Sequence, residues 1–257
     1  MLNIISSGQP TGLPPLLIAH GLYGSARNWG VIAKRLAESR QVFAVDMRNH
    51  GLSDWFQSHN YDDLANDLAE VVRNVGTPMD VLGHSMGGKA AMVLALNFPS
   101  LVNGLIVADI APVTYAHSQI EYAQAMRAVD LAEITRRSDA EAQLGELGVE
   151  KALQSFFTQS LDVPGKRWRL NLDALADHMP HIMSFPDVST AFDGSTLFLS
   201  GANSDYVLPE HRTRIKDLFP QAKFAKIPGA GHWLHAEKPR EFENAIRFWL
   251  DRQTNDD

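Results

Sequence analysis

The sequence predicts an α/β fold, a mostly parallel central sheet flanked by helices and interrupted by a helical cap. Three observations carry this. Short runs that are apolar along their whole length recur, each followed by a stretch of helical period, as expected of parallel strands buried on both faces. Between residues 112 and 190 that rhythm gives way to mostly helical segments punctuated by Pro112, Pro164, Pro180 and Pro186. Beyond 190 it resumes. The core is therefore expected from residues 1–111 and 191–257, with 112–190 inserted as a cap.

The elements follow in order. "PLLIAHG" (15–21) reads as a buried strand ending in glycine, "NWGVIAKRLAES" (28–39) as a helix and "QVFAVDMR" (41–48) as a strand. In "YDDLANDLAEVVRNV" (61–75), Leu64, Leu68, Val71, Val72 and Val75 share one helical face. "MDVLGHS" (79–85) is a strand, and "GGKAAMVLALNF" (87–98) is a helix stopped by Pro99. Strands are expected at "GLIVADI" (104–110), "STLFLSG" (195–201) and "AKFAKIPG" (222–229), and a closing helix at "PREFENAIRFWLDR" (239–252). The insertion contributes "EYAQAMRAV", "SDAEAQLGEL", "EKALQSFFTQ" and "NLDALADHM" as helices.

With 257 residues, 45% hydrophobic and 21% charged, the chain has the makings of one large soluble α/β domain. No apolar run approaches the roughly 18 residues of a membrane span, and "MLNIISSGQP" lacks the regions of a signal peptide. The absence of cysteine excludes disulfides, thiolate zinc sites and cysteine nucleophiles together. A net charge of −7 argues against nucleic acid or an anionic membrane as the main partner. The expectation is a cytoplasmic, acidic enzyme or binding protein without stable membrane association. Its oligomeric state stays open.

"VLGHSMGGKA" (81–90) can be read in two ways. As Gly83 through Lys89 it is most of the phosphate-binding pattern G-x-x-x-x-G-K, and "LIVAD" ending at Asp109 resembles the strand whose aspartate helps hold magnesium. Ala90, however, stands where that pattern needs Ser or Thr, and His84 and Met86 would crowd amides wrapped around a phosphate. As Gly83-His84-Ser85-Met86-Gly87 it is G-x-S-x-G. That pattern alone arises by accident in roughly one chain of this length in ten. Here it lies between an expected strand and an expected helix, where a sharp turn exposes a nucleophilic serine. A helix N-cap role would explain Ser85 but neither flanking glycine. The serine turn is the better reading.

Serine is a weak nucleophile without a base and a group to orient that base. His232 in "PGAGHWLHAEKP" (228–239) follows the last strand on a glycine-rich loop, from which it can reach Ser85. Histidine titrates near pH 6.5 and is able to accept a proton at neutral pH. His235, three residues on, is expected to support the site or to lie at the surface; no metal-binding pattern accompanies it, and neither metal nor cofactor is expected. The N–H groups of Met86 and of Leu22 in "HGLYG" (20–24) are the expected oxyanion donors, with His20 bracing that loop.

Over nearly its full length the sequence resembles the α/β-hydrolase fold, through "HGLYGS", "DMRNHGLS", "GHSMGGK", the helical insertion and "GAGHWLHAEKP". Within it, "RNHG" and "GHSMGGKAAM" resemble the YbfF-type esterases and the α/β-hydrolase domain protein eleven group. The resemblance implies a cofactor-free serine esterase or thioesterase that takes a small-molecule acyl ester or thioester. Ser85, His232, Leu22 and Met86 carry over directly, in the chain order Ser…Asp…His of that fold.

The acid departs from the common pattern. Most members have G-x-x-D after the seventh strand, but "GANSDYV" puts Ser204 in that slot and Asp205 one residue later. Asp109, ending the strand after the serine helix, is the expected acid, as the YbfF resemblance implies, and Asp205 the alternative. His50, Tyr206 and Trp233 lie on loops expected to border the substrate. Arg48 and Asn49 are expected to brace their own loop. Phe156, Phe157, Trp168, Met179, Met183 and Phe185 are expected to be cap core, some of them facing the acyl chain. Carbon–carbon hydrolases, perhydrolases and non-catalytic receptors of this fold share much of the pattern.

Overall fold

The computed structural model describes residues 1–253. The chain opens with β1 (Ile4–Ser7), β2 (Leu16–Ala19), α1 (Gly30–Leu36) and β3 (Val42–Val45). Next come α2 (Tyr61–Val75), β4 (Met79–His84), α3 (Met86–Asn97) and β5 (Val102–Ala108). Between β5 and β8 lie α4 (Ile120–Ala128), α5 (Arg137–Glu146), α6 (Lys151–Thr158), the paired short strands β6 (Leu161–Asp162) and β7 (Arg167–Trp168), α7 (Leu172–Asp177) and α8 (Met179–Met183). β8 (Ser195–Gly201), α9 (Arg212–Leu218), β9 (Ala222–Ile227), α10 (Leu234–Glu237) and α11 (Pro239–Gln253) complete it.

Seven strands form one sheet in the order β1-β3-β2-β4-β5-β8-β9. All neighbours are parallel except β1, which runs antiparallel to β3. The continuous apolarity of the strands has a direct cause. In β2, Leu17 and Ala19 pack toward α2 and α3, while Leu16 and Ile18 pack toward α1 and α11. Both faces are covered, so neither can be polar. α2 sits on its face through Leu64, Leu68, Val71 and Val72. It starts where the Asn60 side chain accepts the Asp63 N–H and stops at Gly76 with φ of 84°.

Several short elements escaped the sequence pattern, β1 and α9 among them. β1 is an edge strand with Ile4 and Ile5 exposed, so its four residues show no buried alternation. α9 buries only Ile215 and Leu218, too few to mark a helical stripe. Among the described residues no helix is long and apolar enough to cross a membrane, and no group of three or more His, Asp and Glu is placed to hold a metal ion.

Candidate active site

Ser85 sits between β4 and α3 at φ 52°, ψ −120°. A non-glycine residue takes positive φ at a cost of about 1–3 kcal/mol, so the surrounding packing must impose it. That packing is visible in the glycines. A Cβ on Gly83 would lie 2.2 Å from the Gly87 carbonyl oxygen, and one on Gly87 would lie 2.4 Å from that of Ala19. One on Gly88 would meet Ile110 Cγ2 at 2.6 Å. Only glycine lets the turn close this tightly against β2. The turn lifts the Ser85 side chain above the sheet's carboxyl edge, where ligands bind in open α/β sheets.

Three side chains from three strand ends meet there. His232 Nε2 lies 3.0 Å from Ser85 Oγ, and its Nδ1 lies 2.8 Å from Asp109 Oδ2. With the ring proton on Nδ1, the imidazole donates to Asp109 and accepts from the Ser85 hydroxyl. Such a chain is able to take the hydroxyl proton while the carboxylate holds the ring in one tautomer and orientation. Asp109 is fully buried, directly follows β5 at φ 51° and accepts two further bonds, from the Gly201 N–H at 2.9 Å and the Ser204 hydroxyl at 2.5 Å. Asp205, the alternative acid, is exposed, and Nδ1 of His232 faces Asp109 instead. Ser204 was a contact the sequence left without a role. Its one signal is that it occupies the slot where the common pattern places the acid.

Buried rings hold this arrangement from behind. His20 donates through Nδ1 to the Gly21 carbonyl and accepts the Met47 N–H, so it braces the Gly21–Gly24 turn. His84 Nε2 donates to the His232 carbonyl at 2.9 Å and fixes the histidine loop. His235 is buried, stacks on Trp29 at 4.4 Å and has no hydrogen-bond partner at Nδ1 among the described residues. Burial pushes His20 and His84 below the usual histidine range and His235 down to about 3, so all three rings are neutral near pH 7. The Tyr206 ring stacks on His232 at 3.9 Å.

A cavity of about 270 Å³ opens at Ser85, lined by His232, Tyr206, Trp233 and the α6 residues Phe156 and Phe157. His50 is the exception among the expected substrate contacts. It is fully buried, donates from Nδ1 to the Arg48 carbonyl and accepts the Tyr23 N–H. This corrects its assignment: both ring nitrogens serve the loops beneath the site. Arg48 and Asn49 brace as expected, Arg48 through Asp63 and Asp67 of α2 and Asn49 through Asn171 of the cap. Leu22 and Met86 both border Ser85. Met86 opens α3, so its N–H belongs to the first turn, which lacks intrahelical partners.

Lys89 is not at a phosphate site. Its ammonium is buried and donates to the Met183 and Ser184 carbonyls at 3.0 and 2.6 Å, tying α3 to the end of α8. Burial lowers its pKa to about 7.

Residues 16–245 match the alpha/beta hydrolase family. The chain is 41% identical to the sn-1-specific diacylglycerol lipase ABHD11 of Mus musculus, over 93% of its own length and 81% of the relative's. It is 38% identical to Esterase YbfF of Escherichia coli (strain K12), over 92% and 93%. Among solved structures, a marine microorganism esterase superposes with a TM-score of 0.91 at 35% identity, covering 96% of this chain and 98% of the other. With a tight serine turn between β4 and α3 on a mostly parallel sheet and esterases among its relatives, the chain is an ester-hydrolysing enzyme and belongs to the alpha/beta hydrolase family.

Proposed function

We propose that the protein hydrolyses carboxylic esters or thioesters through an acyl-enzyme on Ser85. The observation that carries this is the continuous Asp109–His232–Ser85 hydrogen-bonded chain at the mouth of the large cavity. His232 Nε2 takes the Ser85 proton as Oγ bonds to the acyl carbon, and the carbonyl π-electrons move to oxygen. The N–H groups of Leu22 and Met86 stabilise that oxyanion. The intermediate collapses as the protonated Nε2 delivers its proton to the departing alkoxide or thiolate. Water then repeats the sequence: Nε2 takes its proton, its oxygen bonds to the acyl carbon, and the proton returns to Ser85 as the free acid leaves. Asp109 keeps the ring oriented and stabilises its cationic form throughout.

The test is hydrolysis of p-nitrophenyl esters from acetyl to palmitoyl, wild type beside Ser85→Ala. Diacylglycerol, the substrate in the mouse relative's name, belongs in the same panel. Turnover that depends on Ser85, with labelling by an active-site phosphonate, supports the mechanism. A folded wild type inert toward every ester would shift the reading to a carbon–carbon hydrolase or a receptor of this fold. The acidic, cysteine-free sequence fits a cytoplasmic enzyme, and we keep that as its proposed compartment.

A further inference from the structure

Two cavities meet at Ser85, and they differ in size by more than tenfold. The larger, about 270 Å³, is bordered by His232, Trp233 and the α6 side chains Leu153 and Phe156. The smaller, about 20 Å³, runs past Met86 to Lys89, Ile182 and Met183. Leu22, Gln119 and Tyr206 border both, but of these two cavities His232 borders only the larger.

That asymmetry sorts the two halves of an ester. A departing oxygen or sulfur must come within hydrogen-bond reach of His232 Nε2 to receive its proton. The leaving group therefore occupies the side bordered by His232, which is the large cavity. With the carbonyl oxygen toward Leu22 and Met86, the remaining substituent of the reacting carbon, the acyl chain, points into the small one. A space of about 20 Å³ takes one or two groups of water or methyl size. Its far wall is not soft. The Lys89 ammonium is held there by the Met183 and Ser184 carbonyls, with the Tyr115 and Tyr61 rings 4.8 and 5.7 Å away. A longer apolar chain would have to strip a buried ammonium of its partners or push α8 off α3. Both are costly.

We propose that the small cavity is the acyl chamber and that it makes the enzyme select two- to three-carbon acyl groups carried on bulky alcohol or thiol leaving groups. The assignment rests on the serine-hydrolase reading above and adds the specificity.

The experiment uses two substrate series. One varies the acyl chain from acetyl to palmitoyl on p-nitrophenol; the other holds acetyl and varies the alcohol from methanol to naphthol. Wild type is compared with Ile182→Ala and Met183→Ala, which enlarge the small cavity, and with Phe156→Ala, which enlarges the large one. The expected wild-type kcat/KM peaks at acetyl or propionyl and falls about tenfold or more by hexanoyl. Ile182→Ala and Met183→Ala move the peak to longer acyl chains, whereas Phe156→Ala changes only the leaving-group series. A wild-type peak at octanoyl or beyond overturns the assignment, as does an acyl optimum that moves with Phe156→Ala and not with the other two. The wild-type profile decides alone if either small-cavity variant fails to fold. Absence of any Ser85-dependent turnover is a separate result: it removes the hydrolase reading itself, and this assignment with it.

Discussion

Replacing Asp109 with Asn tests the site at its most demanding residue. The carboxylate accepts three hydrogen bonds: Gly201 N–H on Oδ1, and Ser204 Oγ–H and His232 Nδ1–H on Oδ2. An asparagine has one acceptor oxygen and one donor nitrogen for the same three partners. If the nitrogen replaces Oδ2 it faces His232, whose Nδ1 must then give up its proton. The proton moves to Nε2, so Nε2 no longer accepts from Ser85. If the nitrogen replaces Oδ1 it faces the Gly201 N–H, donor against donor, and the negative charge that stabilises an imidazolium is still missing. A misplaced tautomer of this kind lowers kcat by about 10⁴, or ~5.5 kcal/mol of transition-state stabilisation.

Folding should survive. Asparagine tolerates the left-handed conformation that Asp109 adopts at φ 51°, and one unpaired buried donor costs about 1–3 kcal/mol. The assay is kcat on a p-nitrophenyl ester near neutral pH, with a thermal melt to confirm the fold. Asp205→Asn, at an exposed position, should stay within about twofold of wild type. If Asp109→Asn keeps more than about a tenth of wild-type kcat, or Asp205→Asn collapses it, the assigned acid is wrong.

Other outcomes follow from the same contacts. Ser204→Ala leaves the Asp109 charge intact and removes one donor to Oδ2, so kcat should fall by about tenfold or less, with little change in KM. Gly87→Ala places a Cβ 2.4 Å from the Ala19 carbonyl oxygen and 2.5 Å from that of His20. In a urea melt it should cost about 2 kcal/mol or more. His235 is neutral in the fold, with its pKa down at about 3, but takes a proton near pH 6.5 once unfolded. Its contribution to stability is therefore complete above pH 6.5 and lost as the pH falls toward 3, about 2 kcal/mol by pH 5. His235→Phe keeps the stack on Trp29 and removes the unpartnered Nδ1, so it should lose less stability than wild type between pH 6.5 and 5. A parallel loss in both proteins would show that His235 titrates normally.

The strands of the core were legible because burial on both faces leaves a signal that needs no partner to be seen. β1 left none: it is held by its antiparallel ladder to β3, and backbone hydrogen bonds do not constrain which side chains stand outside. His50 failed as a substrate contact for a related reason. Its position just past β3 suggested the rim of the site, but β3 is separated from β4 by β2. The ring turns down to tie the Tyr23 turn to the Arg48 loop instead. Sequence places a residue at a strand end; packing decides whether it faces up or down.

The acid shows how far local spacing reaches. β5 and β8 are adjacent parallel strands, with Ala108 opposite Leu199. Their carboxyl ends therefore deliver side chains to nearly one point in space, and a carboxylate supplied by either loop is able to meet His232. Here β5 supplies it and the β8 loop supplies the Ser204 hydroxyl to the same oxygen. The one-residue offset of Asp205 said only that the β8 position was vacant of acid; the carboxylate that His232 meets stands at the end of the neighbouring strand. Geometry resolves the G-x-x-x-x-G-K ambiguity in the same way. A loop that wraps phosphate must keep its amides open to a ligand. The missing Cβ positions of Gly83, Gly87 and Gly88 are instead filled by the turn's own backbone, by the carbonyls that end β2 and by the Ile110 side chain, while the Lys89 ammonium is spent on the cap. What the glycines make room for is protein. The one group this turn presents is the Ser85 hydroxyl.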